Sequence, residues 1–163
     1  MTDSSEIRIV AAVPQDVPDL LQLIRGLAEY ERLLHEVEAT EELLRTALFG
    51  ARPAAEALIA RVDAASVGFA LYFTSYSTFA GRAGIYLEDL FVLPAWRGRG
   101  IGRRLFGCVA ERAVERGAGR LEWSVLDWNE PALRFYARLG AQPMNDWTMQ
   151  RLSGAALARA AKT

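Results

Sequence analysis

The chain has 163 residues, of which 52% are hydrophobic and 24% charged, a profile that suits one globular domain and excludes a disordered or fibrous chain. Its 19 Lys and Arg nearly balance 20 Asp and Glu, and a net charge of −1 leaves no basic surplus for nucleic acid or an anionic membrane. The N-terminal MTDSSEIRIV lacks the basic and then apolar stretches of a signal peptide, and no apolar run approaches the ~20 residues that cross a bilayer, so a cytoplasmic protein is expected.

Residues 7–10 read as an opening strand. From Pro14 the period changes: Val17, Leu20, Leu21, Ile24, Leu27 and Ala28 recur at three- and four-residue spacing, the signature of one helix face. Pro14 and Pro18 suit a first turn, where no backbone N–H is required. Thr40, followed by Glu41 and Glu42, signals the N-cap of a second helix that residues 50–53 end. Three runs rich in β-branched and aromatic residues follow at 57–62, 67–74 and 85–93, with short turns between them, which predicts an antiparallel meander. Next come a helix over 100–117, with Leu105, Cys108, Val109, Ala113 and Val114 inward, and a strand over 121–126. A helix over 130–139 and a last strand over 147–152 complete the order. Strand–helix–strand order in this half predicts a parallel or splayed pair, and the whole reads as one mixed domain over 1–163.

The most informative stretch is 97–106, Arg97-Gly98-Arg99-Gly100-Ile101-Gly102-Arg103-Arg104-Leu105-Phe106, between an apolar strand and an amphipathic helix. A glycine-rich turn leading into a helix leaves backbone N–H groups unpaired, and together with the positive end of the helix dipole they suit a phosphate. Glycines at 98, 100 and 102 let such an anion approach the backbone closely. A nucleotide P-loop would need Lys-Ser/Thr after Gly102, where Arg103 and Arg104 stand, and a dinucleotide fingerprint would need glycine at 103.

Arg97-x-x-Gly100-x-Gly102 resembles the pyrophosphate loop of the GCN5-related N-acetyltransferase (GNAT) family, which reads Arg/Gln-x-x-Gly-x-Gly/Ala. Three further stretches are similar to the diamine acetyltransferase branch: 86–92 (YLEDLFV), 127–131 (DWNEP) and 135–141 (FYARLGA). Leu27-Ala28-Glu29-Tyr30-Glu31 resembles that branch too. The resemblance implies a GNAT-like α+β fold, with a mostly antiparallel sheet splayed at the coenzyme site and helices on both faces. It also implies acetyl-CoA as co-substrate with no metal, a small-molecule primary amine as acceptor, direct transfer in a ternary complex, and a homodimer.

It implies roles for residues as well. Backbone groups of Leu90, Phe91 and Val92 would meet pantetheine, one of them polarising the thioester carbonyl. Arg97, Gly98, Arg99, Gly100, Ile101, Gly102 and Arg103 would hold the pyrophosphate, and Asn129, Glu130, Pro131 and Ala132 would line the coenzyme further along. Tyr136 would protonate or stabilise the departing thiolate; phenols and alkyl thiols have ordinary pKa values of ~10 and ~8.5. Glu88 would bind the amine and act as its base, directly or through water, or serve only to attract the cation. Tyr30, Glu31, Asp89 and Trp123 would border the acceptor.

Plainer readings stand beside these: an edge acid at 88, a core tyrosine at 136, a solvated face for Glu29 and Glu31, and packing for the tryptophans. Period-two geometry puts Glu88 and Asp89 on opposite faces of their strand. The polyamine enzymes carry an acid before that strand, whereas this chain has Ser75-Tyr76-Ser77-Thr78-Phe79; fewer acids favour a short or amino-acid-like amine over a long polycation. Cys108 and His35, each alone of its kind, exclude an internal disulfide and a Cys/His metal site and receive no catalytic role. A protein or peptide acceptor, and a non-catalytic acetyl-CoA sensor, are the alternatives; product formation and the effect of Tyr136→Phe separate them.

Overall fold

The computed structural model describes residues 6–162, which divide after Ser124 into two compact units. In the first, β1 (Ile7–Ala11), β2 (Glu56–Val62), β3 (Ala65–Ser77), β4 (Arg82–Val92) and β5 (Leu121–Glu122) form one sheet in sequence order. β1 to β4 pair antiparallel, whereas β5 lies parallel to β4 and pairs only at Ile85↔Leu121 and Tyr86↔Glu122. The expected strand over 121–126 is therefore cut to its first two residues, and among the described residues no strand pairs with the outer edge of β4 beyond Tyr86.

Both sheet faces carry helices. α1 (Val17–Tyr30) and α2 (Glu41–Phe49) cover one, where Leu20, Leu23 and Leu48 pack on Ile59, Phe69 and Phe91. α3 (Ile101–Glu115) covers the other, setting Leu105, Val109 and Ala113 against Leu58, Ala70, Tyr72, Ile85 and Leu87. Full burial of side chains of this size is worth about 1.5–3 kcal/mol each and holds the layers together. Val114 corrects the helical reading: it is 80% exposed, because the inward row of α3 passes from Val109 to Ala113 at i+4. The cap at Thr40 forms as expected, its hydroxyl accepting the Leu43 N–H at 3.2 Å.

The entry side of α1 is pinned by a buried ion pair. Asp16 is 6% exposed, accepts the Val13 N–H at 2.9 Å and is bonded to the Arg61 guanidinium of β2. Arg61 in turn reaches the Ser66 hydroxyl, which donates to Asp19 at 2.6 Å. The first turn of α1 is thereby tied to the β2–β3 hairpin.

The second unit holds α4 (Glu130–Arg138) and α5 (Gly154–Ala160). The Asn129 side chain caps α4 by accepting the Ala132 N–H. Gly140, at φ +87°, closes its other end: the N–H of Gly140 reaches the Ala137 carbonyl at 3.0 Å and that of Ala141 the Tyr136 carbonyl at 3.2 Å, a Schellman arrangement. The expected strand over 147–152 does not form. No described strand pairs with it, and an extended segment without a ladder gains nothing from its β-like composition. Trp147, Met149 and Leu152 are exposed. Alanine-rich α5 was not anticipated; its signal is propensity alone, with no apolar period.

Candidate functional site

β4 carries two of the three acids of interest, and it does not run with a single pleat. Tyr72 pairs with Leu87 and Leu71 with Asp89, so Glu88 is an extra residue, a β-bulge. The bulge reverses the alternation along the strand. Ile85, Leu87, Leu90 and Val92 pack on the α3 side, whereas Tyr86 stacks on Phe73, and Asp89 and Phe91 stand on the α1 side. Without the extra residue Asp89 would share a face with Leu87 and point into the core beneath α3. The face of Asp89 is therefore set by the bulge and not by the pleat of the first half of the strand.

Glu88 is exposed; Asp89 and Glu31 are half-buried. Glu31 is the C-cap residue of α1, one position after Tyr30. Burial, together with the charges of Glu88 and Glu31, pushes the Asp89 carboxyl up to about 7. Burial raises the Glu31 carboxyl as well. A carboxylate disfavoured by burial and by two like-charged neighbours gains most from an arriving cation, so this cluster is suited to an ammonium group. Among the described residues, no three His, Cys, Asp or Glu side chains are grouped to hold a metal ion.

The outer edge of the same strand is prepared differently. The Leu93 N–H donates to Val67 at 2.9 Å, so by antiparallel alternation the N–H and C=O of Leu90 and Val92 point away from β3, toward the edge that β5 leaves unpaired. The glycine-rich turn follows. Gly98 and Gly100 both lie at φ +76°, the left-handed region, and Gly100 is the N-cap of α3. Among the described residues, the N–H groups of 98–103 find no hydrogen-bond partner; the first backbone bond of the turn is Arg104 to the Gly100 carbonyl at 3.0 Å. A Cβ at either glycine would meet nothing within 4 Å, so the concave side of the turn is open. Unpaired amides, the helix N-terminus and open space above them form an anion cradle.

One expected outcome follows for this turn. Gly100→Ala forces an L side chain into the left-handed region at about 1–2 kcal/mol, and relaxing that strain turns the amides aside. Affinity for coenzyme A, the ligand the sequence resemblance implies for this turn, should fall about tenfold by titration calorimetry, while circular dichroism stays unchanged.

The arginines of the turn divide. Arg97 packs its guanidinium over Tyr30, 4.6 Å from the ring centre, and Arg99 packs over Trp96 at 4.6 Å. Tyr30, Glu31, Glu88, Asp89 and the turn at 97–103 all belong to the first unit. So does Trp123, but it stands edge-on to Phe106 of α3, packed against the core on the α3 side, opposite the face on which Asp89 stands. Asn129, Glu130, Pro131, Ala132 and Tyr136 belong to the second unit, at the start and in the last turn of α4. Tyr136 is half-buried there, with the Phe135 ring edge-on at 5.1 Å. His35 lies exposed in a short 3-10 turn beside Glu36, and Cys108 is partly buried on α3. Sequence reasoning named Asp89 only as a residue bordering the acceptor and missed its special position. The signal was the three-residue step between Leu87 and Leu90 in a strand whose other inward residues are two apart.

The chain is similar to known proteins in both sequence and fold. The profile of the acetyltransferase (GNAT) family matches residues 20–141. The chain is 40% identical over 161 residues to thialysine N-epsilon-acetyltransferase of Mus musculus, covering 92% of this chain and 94% of that protein. It is 34% identical to the L-ornithine N5-acetyltransferase NATA1 of Arabidopsis thaliana, covering 92% and 86% respectively. Among solved structures, an integron cassette protein from the V. cholerae mobile metagenome superposes with a TM-score of 0.80 at 26% identity, over 96% of this chain and 98% of the other. An aminoglycoside acetyltransferase from a soil metagenome shares the fold at a TM-score of 0.77 and 20% identity, over 94% and 100%. With the turn, the edge strand and these matches together, the chain belongs to the GNAT acetyltransferase family.

Proposed function

We propose that this enzyme transfers the acetyl group of acetyl-CoA directly to a primary amine of a small cationic molecule, within a ternary complex. The observation that carries the reading is that one strand bears both a cation site and a coenzyme edge: Asp89 and Glu88 at the bulge, Leu90 and Val92 along the unpaired side, and the open glycine turn at its end. The amine arrives as an ammonium ion, Glu88 and Asp89 hold it, and the pair takes its proton. The neutral nitrogen attacks the thioester carbon, the C–S bond breaks, and the departing thiolate takes a proton from Tyr136. The nitrogen sheds its second proton as the amide forms, and that proton restores the Tyr136 phenol.

The relatives named for thialysine and ornithine support an amino-acid-like acceptor in place of a long polyamine, in line with the absence of acids from 75–79. The family match runs across Ser124, which supports one acetyltransferase domain drawn from both units. We infer a homodimer from the same resemblance.

Mass spectrometry after incubation with acetyl-CoA and a panel of thialysine, lysine, ornithine, putrescine, spermidine, an aminoglycoside and a short peptide tests the reading. One small amine should gain a single acetyl group. Acetylation of the peptide alone would move the acceptor to proteins, and coenzyme binding without any product would leave a sensor. Tyr136→Phe should lower kcat by about 10²-fold, as removal of a general acid does, with the KM for acetyl-CoA unchanged.

A further inference from the structure

We propose that Arg97 is a positioning residue, a brace that fixes the end of α1 to the glycine-rich turn so that the amine side and the coenzyme side of the site are held as one piece. The inference rests on the acetyl-transfer reading above. Its evidence is a stack of three side chains from three elements. The Arg97 guanidinium lies 4.6 Å from the centre of the Tyr30 ring and 5.5 Å from that of Phe91. Its Nε–H donates to the Val92 carbonyl at 2.9 Å. That carbonyl is one of the groups on the edge of β4 that β5 leaves unpaired, so Arg97 occupies part of that edge itself.

The packing leaves little slack on the α1 side. A Cβ at Gly26 would sit 3.0 Å from the Phe91 ring, so the helix approaches the strand closely one turn before Tyr30. Tyr30 is followed directly by Glu31, and Arg97 directly by Gly98. A displacement of the turn by a bound phosphate is therefore transmitted through one guanidinium to the residues that border the amine.

The chemistry of the brace needs arginine. Two aromatic contacts use its planar group and the carbonyl uses Nε–H, whereas lysine would keep the positive charge and lose both the plane and that donor. A residue that served only as a charge for the pyrophosphate would be replaced well by lysine. The two roles separate cleanly.

The experiment is a comparison of the wild type with Arg97→Lys, Tyr30→Leu and the double variant. Coenzyme A affinity is read by calorimetry and the KM for the amine by steady-state rates. Arg97→Lys should raise the amine KM about tenfold and change coenzyme affinity less than twofold; Tyr30→Leu should reproduce the effect, and the double variant should add little to either. An amine KM unchanged in Arg97→Lys, whether or not coenzyme affinity falls, or additive effects in the double variant, would overturn the brace. A nitrogen-15 spectrum gives a readout independent of turnover: the Arg97 Nε–H should exchange slowly in the wild type and quickly in Tyr30→Leu. Should the protein bind no coenzyme, the functional reading fails while this signal still decides the brace, and rapid exchange in the wild type would refute it.

Discussion

Asp89→Asn should remove the acid limb of the pH profile. In the wild type, kcat/KM for the amine should rise with pH around a midpoint near 7, where the Asp89 carboxyl ionises against burial and its two acidic neighbours. The asparagine variant should lose that rise and about 10²–10⁴-fold in rate, the usual worth of a positioned base. Glu31→Gln should keep activity and move the midpoint to lower pH, because it removes one of the charges that resist ionisation. Glu88→Gln should move it the same way and also weaken the amine, since Glu88 is the exposed member of the pair. A midpoint that stays put in all three variants would remove the acid cluster from the mechanism.

The same shift has a thermodynamic consequence with a definite sign. The Asp89 carboxyl has an ordinary value of 3.8 and is raised to about 7 in the folded chain. Between those values the folded chain holds a proton that the unfolded chain has released, so stability falls as pH rises through this window. Asp89→Asn should accordingly unfold at a higher temperature than the wild type above neutral pH and show no such gain near pH 4. A gain in stability and a loss of turnover from one substitution would mark the acid as strained for use.

Asp16→Ala should have the largest effect on stability. It strips the partner from Arg61 and the acceptor from the Val13 N–H at the start of α1. Breaking a buried pair costs about 3–5 kcal/mol; the Arg61 side chain keeps 22% of its surface in water, which places the cost near the lower end, about 3 kcal/mol. For a chain of this length that is a fall of roughly 6–12 °C in melting temperature. Asp16→Asn, which retains an acceptor for Val13, should cost less. Equal losses in the two variants would assign the stability to the charge alone.

Much of the fold was legible because it rests on period and punctuation. The β-branched and aromatic runs at 57–62 and 67–74, the cap at Thr40 and the glycine turn into α3 are local features, and each formed where local rules put it. The failures come from tertiary context. β5 stops at Glu122 and 147–152 finds no strand partner, yet both segments are written in strand-forming residues, because composition cannot say whether a ladder is on offer. Val114 follows Val109 by five residues and so falls off the inward row. Within the site, the turn was readable from its glycines. The stacking of Arg97 was not, since the ring it packs over most closely, that of Tyr30, belongs to an element far away in sequence.

The bulge at Glu88 makes the position of Asp89 a matter of counting, independent of side-chain chemistry. The extra residue acts as a frameshift in space: everything on β4 after it is read out on the opposite side from what the first half of the strand prescribes. The shift comes from the number of residues and not from the carboxylate, so Glu88→Gln keeps it and reports on the charge alone. Deleting the residue would restore an unbroken pleat, turn Asp89 and Phe91 into the layer beneath α3 and expel Leu90 and Val92 from it. A charge would then stand in an apolar core and the edge would face the wrong way. The strand would survive as a strand, but the enzyme would not.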